Sequence, residues 1–341
     1  MNRKHFLSFM ITAGALSLGE KGRAASIKDN REFRNRIPPY LKTGDTIGIT
    51  SPASFITRAE IQPAVALLES WGFRIKIGKT IGNRDFNLGG TDLERTSDFQ
   101  EMLDDTAVKA ILCARGGYGV VRLIDQLNFR QFKKHPKWLI GFSDITLLHT
   151  HVNSNFGIAS IHSKMCNSFP SIWEEASPIQ IETILSIRQV LTGQAVRYTA
   201  PYHSSNRQGR TEGILVGGNL SMIETAAGSP SDLQTAGRLL FLEDTNEPLY
   251  SLDRMLWNLK RSGKLEKLKG LIIGGFRLKP EAPGDEFGKD LQEIVMEKIK
   301  SYNYPVCFDF PVGHQVNNFA LKCGAAHILN VDQNGSTLTS I

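Results

Sequence analysis

Ser143 stands in the stretch Lys137-Trp-Leu-Ile-Gly-Phe-Ser-Asp-Ile-Thr-Leu-Leu-His149, where a short apolar strand gives way to a helix. Trp138 to Ile140 read as the strand, and Asp144 to Val152 as the first turns of the helix. A hydroxyl on such a turn faces away from the sheet and lies beside unpaired helix N–H donors, as an acyl-transfer nucleophile requires. Gly141-Phe-Ser-Asp-Ile145 departs from the usual nucleophile elbow, with Ile145 at its fifth position. Serine beside aspartate at a helix start also fits an N-cap. Two further groups sit after strand-like runs: Glu243, with Asp244, closing Phe241-Leu-Glu-Asp-Thr-Asn-Glu247, and His314 in Pro311-Val-Gly-His-Gln315. A carboxylate there can fix a histidine tautomer, and a loop imidazole can serve as a base. The bland readings are solvated acids in an acidic loop and a surface histidine.

The elements that must position these groups alternate. Asp45 to Ser51 reads as a strand, Arg58 to Trp71 as a helix and Phe73 to Gly78 as a strand. Thr91 caps a helix to Leu103, Ala107 to Cys113 is a strand, and Gly119 to Leu127 a helix. Strand–helix alternation implies parallel pairing with ligands beyond the carboxyl ends of the strands. Arg115-Gly-Gly-Tyr-Gly119 lies at one such end and lets backbone N–H groups approach an anion, or is simply a glycine-rich turn. Between Lys164 and Gly209 the pattern weakens to one helix, Ile179 to Leu191, and a polar connector. A second alternation follows: strands at 211–216, 238–242, 268–275 and 305–310, with helices at 219–227, 250–260 and 291–302. A closing β pair, 325–331 with 337–341, turns at Asn334-Gly335. Gly217-Gly-Asn219 is either a cap or a substrate clamp.

At 341 residues the chain has room for two domains, and 41% apolar with 22% charged residues fits an α/β protein. The net charge is +6, but residues 1–25 carry +3 of it, so charge offers no case for a nucleic-acid partner. Those residues have a basic start, an apolar run from Phe6 to Leu18 and small residues at Gly22 to Ser26. This is the plan of an export signal cleaved after Ala24 or Ala25, with a frayed cytoplasmic extension as the other reading. The run is short of the roughly 20 residues of a membrane span. Cys113, Cys166, Cys307 and Cys323 lack ligand spacing, no HExxH occurs, and neither metal nor cofactor is expected.

Gly116-Gly-Tyr-Gly119, Gly141-Phe-Ser-Asp-Ile-Thr146, Gly217-Gly-Asn-Leu220, Leu242-Glu-Asp244 with Leu252-Asp-Arg-Met-Leu256, and Pro311-Val-Gly-His314 occur in that order. The series resembles the L,D-carboxypeptidases of serine-peptidase family S66, from about Leu41 to the C-terminus. The resemblance implies α/β architecture: a flavodoxin-like N-terminal domain with a parallel sheet, then a smaller C-terminal α/β domain with a swivelling β-sheet, often in a homodimer. The corresponding division is 1–25 as export signal, 41–165 as the nucleophile domain, 166–209 as linker and 210–341 as the domain of the acid and base. It implies Ser143 as nucleophile, His314 as general base and Glu243 as its orienting acid, a triad that depends on closure of the two domains. Gly117 and Asp144 would form the oxyanion hole, and Arg115 and Asn219 would bind substrate. The implied reaction is release of C-terminal D-alanine from a peptidoglycan tetrapeptide without a metal. Cleavage of a peptide–nucleotide antibiotic is the alternative within that chemistry, and a non-catalytic exported peptide-binding protein the alternative outside it. The export-like start departs from the family's best-known cytoplasmic members and points to the periplasm.

Overall fold

The computed structural model describes residues 35–341, so the export-like segment lies outside the described residues. Two sheets carry the fold. The first is built from β1 (Thr46–Thr50), β2 (Arg74–Ile77), β3 (Val108–Cys113), β4 (Trp138–Gly141) and β5 (Ser160–His162), all parallel, in the order β5-β4-β3-β1-β2. This is the flavodoxin order, with its topological switch between β1 and β3. Central strands covered on both faces are apolar throughout, and every residue of β4 is buried. Helices α1 (Arg58–Ser70) and α2 (Asp92–Asp104) both open with capping boxes, Thr57 with Glu60 and Thr91 with Glu94. A short α3 (Arg130–Lys134) precedes β4, and α4 (Thr146–Phe156) follows it, ending at left-handed Gly157.

The run 119–127, expected as a helix, is instead two 3₁₀ turns, Val120–Arg122 and Ile124–Gln126. Gly119 (φ 140°) supplies no side-chain cap, and its carbonyl is drawn to the buried Arg95 guanidinium at 3.0 Å. The chain then folds through α5 (Pro178–Leu191), with Pro178 at its first turn, into β6 (Arg197–Pro201). That strand alternates exposed and buried residues, and Tyr198 and Ala200 enter the core.

The second sheet contains β6, β7 (Gly209–Asn219), β8 (Leu239–Glu247), β9 (Gly270–Leu278) and β10 (Val306–Cys307), with β12 (Ala326–Asp332) and β13 (Gly335–Ser340). Its order is β10-β9-β8-β7-β12-β13-β6, parallel from β10 to β7 and antiparallel beyond. Helices α6 (Leu220–Ala226), α7 (Leu249–Arg261) and α8 (Leu291–Ile299) cover it, α7 through Leu252, Met255, Leu256 and Leu259. The strand expected over 305–310 shortens to β10 because Asp309 adopts a left-handed φ of 53° that no ladder accepts. One strand of the C-terminal part, β11 (Leu321–Cys323), returns to pair antiparallel with β5. Apolar residues of both sheets therefore belong to one continuous core, from Ile47 and Trp138 to Phe241 and Phe310.

Candidate active site

Beyond Gly141 the chain turns so tightly that Ser143 takes a left-handed φ of 63°. For a residue with a Cβ this costs on the order of 1–3 kcal/mol, which the surrounding packing must hold in place. The restraint comes from Asp144. Its carboxylate is buried, and Oδ2 accepts the Val120 N–H at 2.8 Å, tying the turn to the segment after β3. Burial pushes its pKa up to about 6, against the opposing Val120 bond and the charge of Arg95. The Arg115–Gly119 turn packs on the other side. A Cβ at Gly116 would stand 3.0 Å from that of Ser143, so a larger residue would press on the serine turn. Gly117 is exposed, and among the described residues no backbone carbonyl takes its N–H. The Asp144 N–H opens a 3₁₀ turn, where first donors lack partners within the helix. Of the two candidate oxyanion donors, Asp144 directly follows the serine and Gly117 directly follows Gly116, the residue that approaches it.

The opposite wall comes from the second sheet. Glu243 is fully buried on β8, and its Oε2 lies 2.6 Å from His314 Nδ1. With Nδ1 committed to the carboxylate, Nε2 is the ring nitrogen left to exchange a proton. The loop bearing His314 closes over the strand because Gly313 has φ 103° and no side chain. A Cβ there would fall 2.4 Å from Glu243 Cβ. The Gly313 N–H donates to Asn318 Oδ1 at 2.8 Å, and Gln315 Nε2 to the Phe310 carbonyl at 2.9 Å, so the loop is pinned on both sides of the histidine. The His314 ring stands 4.9 Å, centroid to centroid, from Phe142, the neighbour of Ser143. The structure therefore brings the serine turn and the Glu243–His314 pair to one place from separate sheets. His149 and His162, buried beneath them, are held neutral by burial, His149 with a pKa of about 4.

Residues 47–163 match the LD-carboxypeptidase N-terminal domain, and residues 212–329 match the LD-carboxypeptidase C-terminal domain. The chain belongs to the LD-carboxypeptidase family of serine peptidases. It is 35% identical over 298 residues to a Bacillus subtilis protein named a probable murein peptide carboxypeptidase, covering 87% of this chain and 92% of that one. Identity to the murein tetrapeptide carboxypeptidase of Pseudomonas aeruginosa is 29% over 289 residues, 83% of this chain and 92% of the relative. The crystal structure of muramoyltetrapeptide carboxypeptidase from Oxalobacter formigenes superposes with a TM-score of 0.75 at 27% identity, covering 86% of this chain and 98% of that one.

Around Ser143, Glu243 and His314 of this carboxypeptidase the remaining candidate positions divide. Asn219 is buried, and both ends of its side chain are engaged: Oδ1 accepts from Met222 N–H and Ser221 Oγ, and Nδ2 donates to Asp244 at 2.9 Å. It caps α6, and its backbone N–H reaches Thr146 Oγ1 of the first sheet's helix at 3.0 Å. Arg115 is exposed and donates to the Phe55 carbonyl at 3.2 Å. Neither lines the cavity beside His314, which has a volume of about 590 Å³. The polar residues facing that cavity include Lys164, Thr245, Arg277 and Gln315. None of these four was singled out in the sequence. Lys164 follows β5, a three-residue strand too short to show a period, and Arg277 follows the apolar run of β9. Among the described residues no cluster of His, Cys, Asp and Glu could hold a metal ion.

Proposed function

We propose that this carboxypeptidase removes the C-terminal D-alanine from a peptidoglycan tetrapeptide, cutting between an L-centre and the D-residue. The observation that carries the reading is the 2.6 Å contact of Glu243 with His314 Nδ1, placed against the strained turn of Ser143. Names borne by the relatives from Bacillus subtilis, Pseudomonas aeruginosa and Oxalobacter formigenes support the substrate class.

In the proposed reaction Ser143 Oγ attacks the scissile carbonyl while His314 Nε2 takes its proton. Glu243 keeps the imidazole in the tautomer that can accept, and stabilises the imidazolium that forms. The Gly117 and Asp144 N–H groups receive the charge developing on the carbonyl oxygen; each such donor is worth about 3 kcal/mol of barrier. His314 then returns the proton to the departing amine, D-alanine leaves, and water repeats the sequence on the acyl-enzyme. The export-like N-terminus supports action in the periplasm, and we include a homodimer in the proposal on the family resemblance.

Mass spectrometry of a muramoyl tetrapeptide incubated with the protein tests this. Loss of one D-alanine with the wild type and none with Ser143→Ala is expected; an intact tetrapeptide with the wild type overturns the substrate assignment.

A further inference from the structure

A carboxypeptidase must tell a free chain end from a continuing peptide, and the residue it releases must sit where the general acid can protonate its nitrogen. That side is the His314 side. The cavity there is walled by Phe142 and His314 and carries two cations, Lys164 from the first sheet's end and Arg277 from β9. No Asp or Glu lines it, so the charged side chains of its wall are Lys164 and Arg277, with the buried Glu243 behind His314. Lys164 Nζ is fixed by one bond, to the Gln315 carbonyl at 2.6 Å, which leaves two of its three donors for a ligand. Arg277 lies opposite Thr245, two residues beyond Glu243 on the neighbouring strand. Among the described residues it has no carboxylate partner. Arg115 faces elsewhere, towards Phe55.

We infer that Lys164 and Arg277 together bind the substrate's terminal carboxylate, and so confer the requirement for a free C-terminus. The inference rests on the hydrolytic reading above and assigns its leaving-group subsite. A carboxylate between the two cations relieves their mutual repulsion and gains charge-assisted bonds, forked on the arginine side. Because the cations come from different sheets, the carboxylate is also a bridge between the two halves of the site.

The test compares a tetrapeptide ending in free D-alanine with the same peptide ending in D-alaninamide. Wild type is expected to favour the acid, chiefly through KM. Arg277→Gln and Lys164→Gln should each raise KM for the acid by about tenfold to a hundredfold, the loss of a charge-assisted bond, and leave the amide almost unchanged. The acid-to-amide ratio then falls towards one. Since Lys164 also steadies Gln315, Arg277→Gln, whose exposed side chain supports nothing else, is the decisive variant. A ratio preserved in Arg277→Gln overturns the inference, as does a collapse produced by Arg115→Gln instead. If the wild type releases neither D-alanine from the acid nor D-alaninamide from the amide, the hydrolytic reading fails separately. Calorimetry of acid and amide with Ser143→Ala protein then decides the subsite: tighter binding of the acid that Arg277→Gln abolishes supports it, and equal binding sinks it.

Discussion

Each half of the site places a reactive residue directly before a buried aspartate, Ser143-Asp144 in one and Glu243-Asp244 in the other, yet the two pairs are held by different means. Ser143 is half-exposed on a turn with φ 63°, and Asp144 fastens that turn through one bond, to Val120. Glu243 is buried on β8, paired with Asn219 of β7 at a point where the register with β9 shifts, and Asp244 receives the Asn219 amide and the N–H groups of Ser221 and Thr245 at 2.8–2.9 Å. Backbone strain marks the Ser143 side, whereas beside Glu243 the neighbouring Asp244 is held in a dense polar network. A hydroxyl must reach the substrate, so its scaffold projects outward; a carboxylate that only orients histidine works best away from water, where its field is least screened.

The largest expected effect tests the strained side. Ser143→Ala should lower kcat by roughly 10⁴ or more, since an imidazole without its nucleophile leaves only binding and oxyanion stabilisation. Ser143→Gly should be equally inactive but separate strain from chemistry. Relief of a left-handed side chain is worth about 1–2 kcal/mol, offset by about 0.5–1 kcal/mol of glycine chain entropy. Urea denaturation should therefore find Ser143→Gly more stable than Ser143→Ala; the reverse order would mean that the turn stores no strain.

On the buried side, Glu243→Gln preserves shape and removes charge. Loss of the charge and of the acceptor-only group that fixes the His314 tautomer should cost roughly 10²–10⁴ in kcat. Stability should not fall, because Oε1 of the buried carboxylate has no hydrogen-bond partner among the described residues and its charge is a burden to the fold. Near-normal turnover in Glu243→Gln would show that the loop bonds to Asn318 and Phe310 alone orient His314.

The same contrast explains what was legible in the sequence. Capped helices with a clear apolar period, such as α1 and α2, and the continuous apolar strands β3 and β4 could be read directly, because local chemistry and burial agree there. So could the turn at Ser143, where a strand runs into a helix. The 3₁₀ turns after Gly119 could not, since their geometry is imposed by Arg95, 24 residues earlier in the chain. Arg197–Pro201 alternates as a strand should, yet in the sequence it reads as connector, because its pairing partner β13 lies far along the chain. The cavity cations Lys164 and Arg277 carry no local motif, and only the folded chain places both beside His314.

A smaller effect sharpens the comparison of the two aspartates. Burial raises both to pKa values of about 6. A carboxyl group that holds its proton more tightly when folded favours the folded state most below pH 4, and that advantage disappears as pH rises through about 6. For Asp144 the difference amounts to at most about 3 kcal/mol. Asp144→Asn still offers an oxygen to the Val120 N–H but does not titrate. Its stability relative to wild type should thus rise between pH 4 and pH 7. Asp244→Asn removes one acceptor oxygen from a network of four donors, the Asn219 amide, the Ser221 and Thr245 N–H groups and Ser221 Oγ, and should be destabilising across that range. Both curves should rise with the same slope, since both aspartates titrate near 6, with Asp244→Asn lying below; coincident curves would erase the distinction drawn between the halves.

The smallest expected effect concerns what joins them. Tyr198 OH donates to the Ala320 carbonyl at 3.0 Å, just before β11 crosses to the first sheet, and its ring stacks on Phe319. Tyr198→Phe keeps the stack and strands a buried carbonyl, at a cost of about 1–3 kcal/mol. The triad residues are untouched, so any change in turnover must come through the fit of one half against the other. A few-fold fall in kcat with the acid-to-amide preference intact is expected if joint placement of serine and histidine sets the rate. Unchanged kcat in a measurably less stable protein would show instead that each half holds its own residues in register without help from this contact.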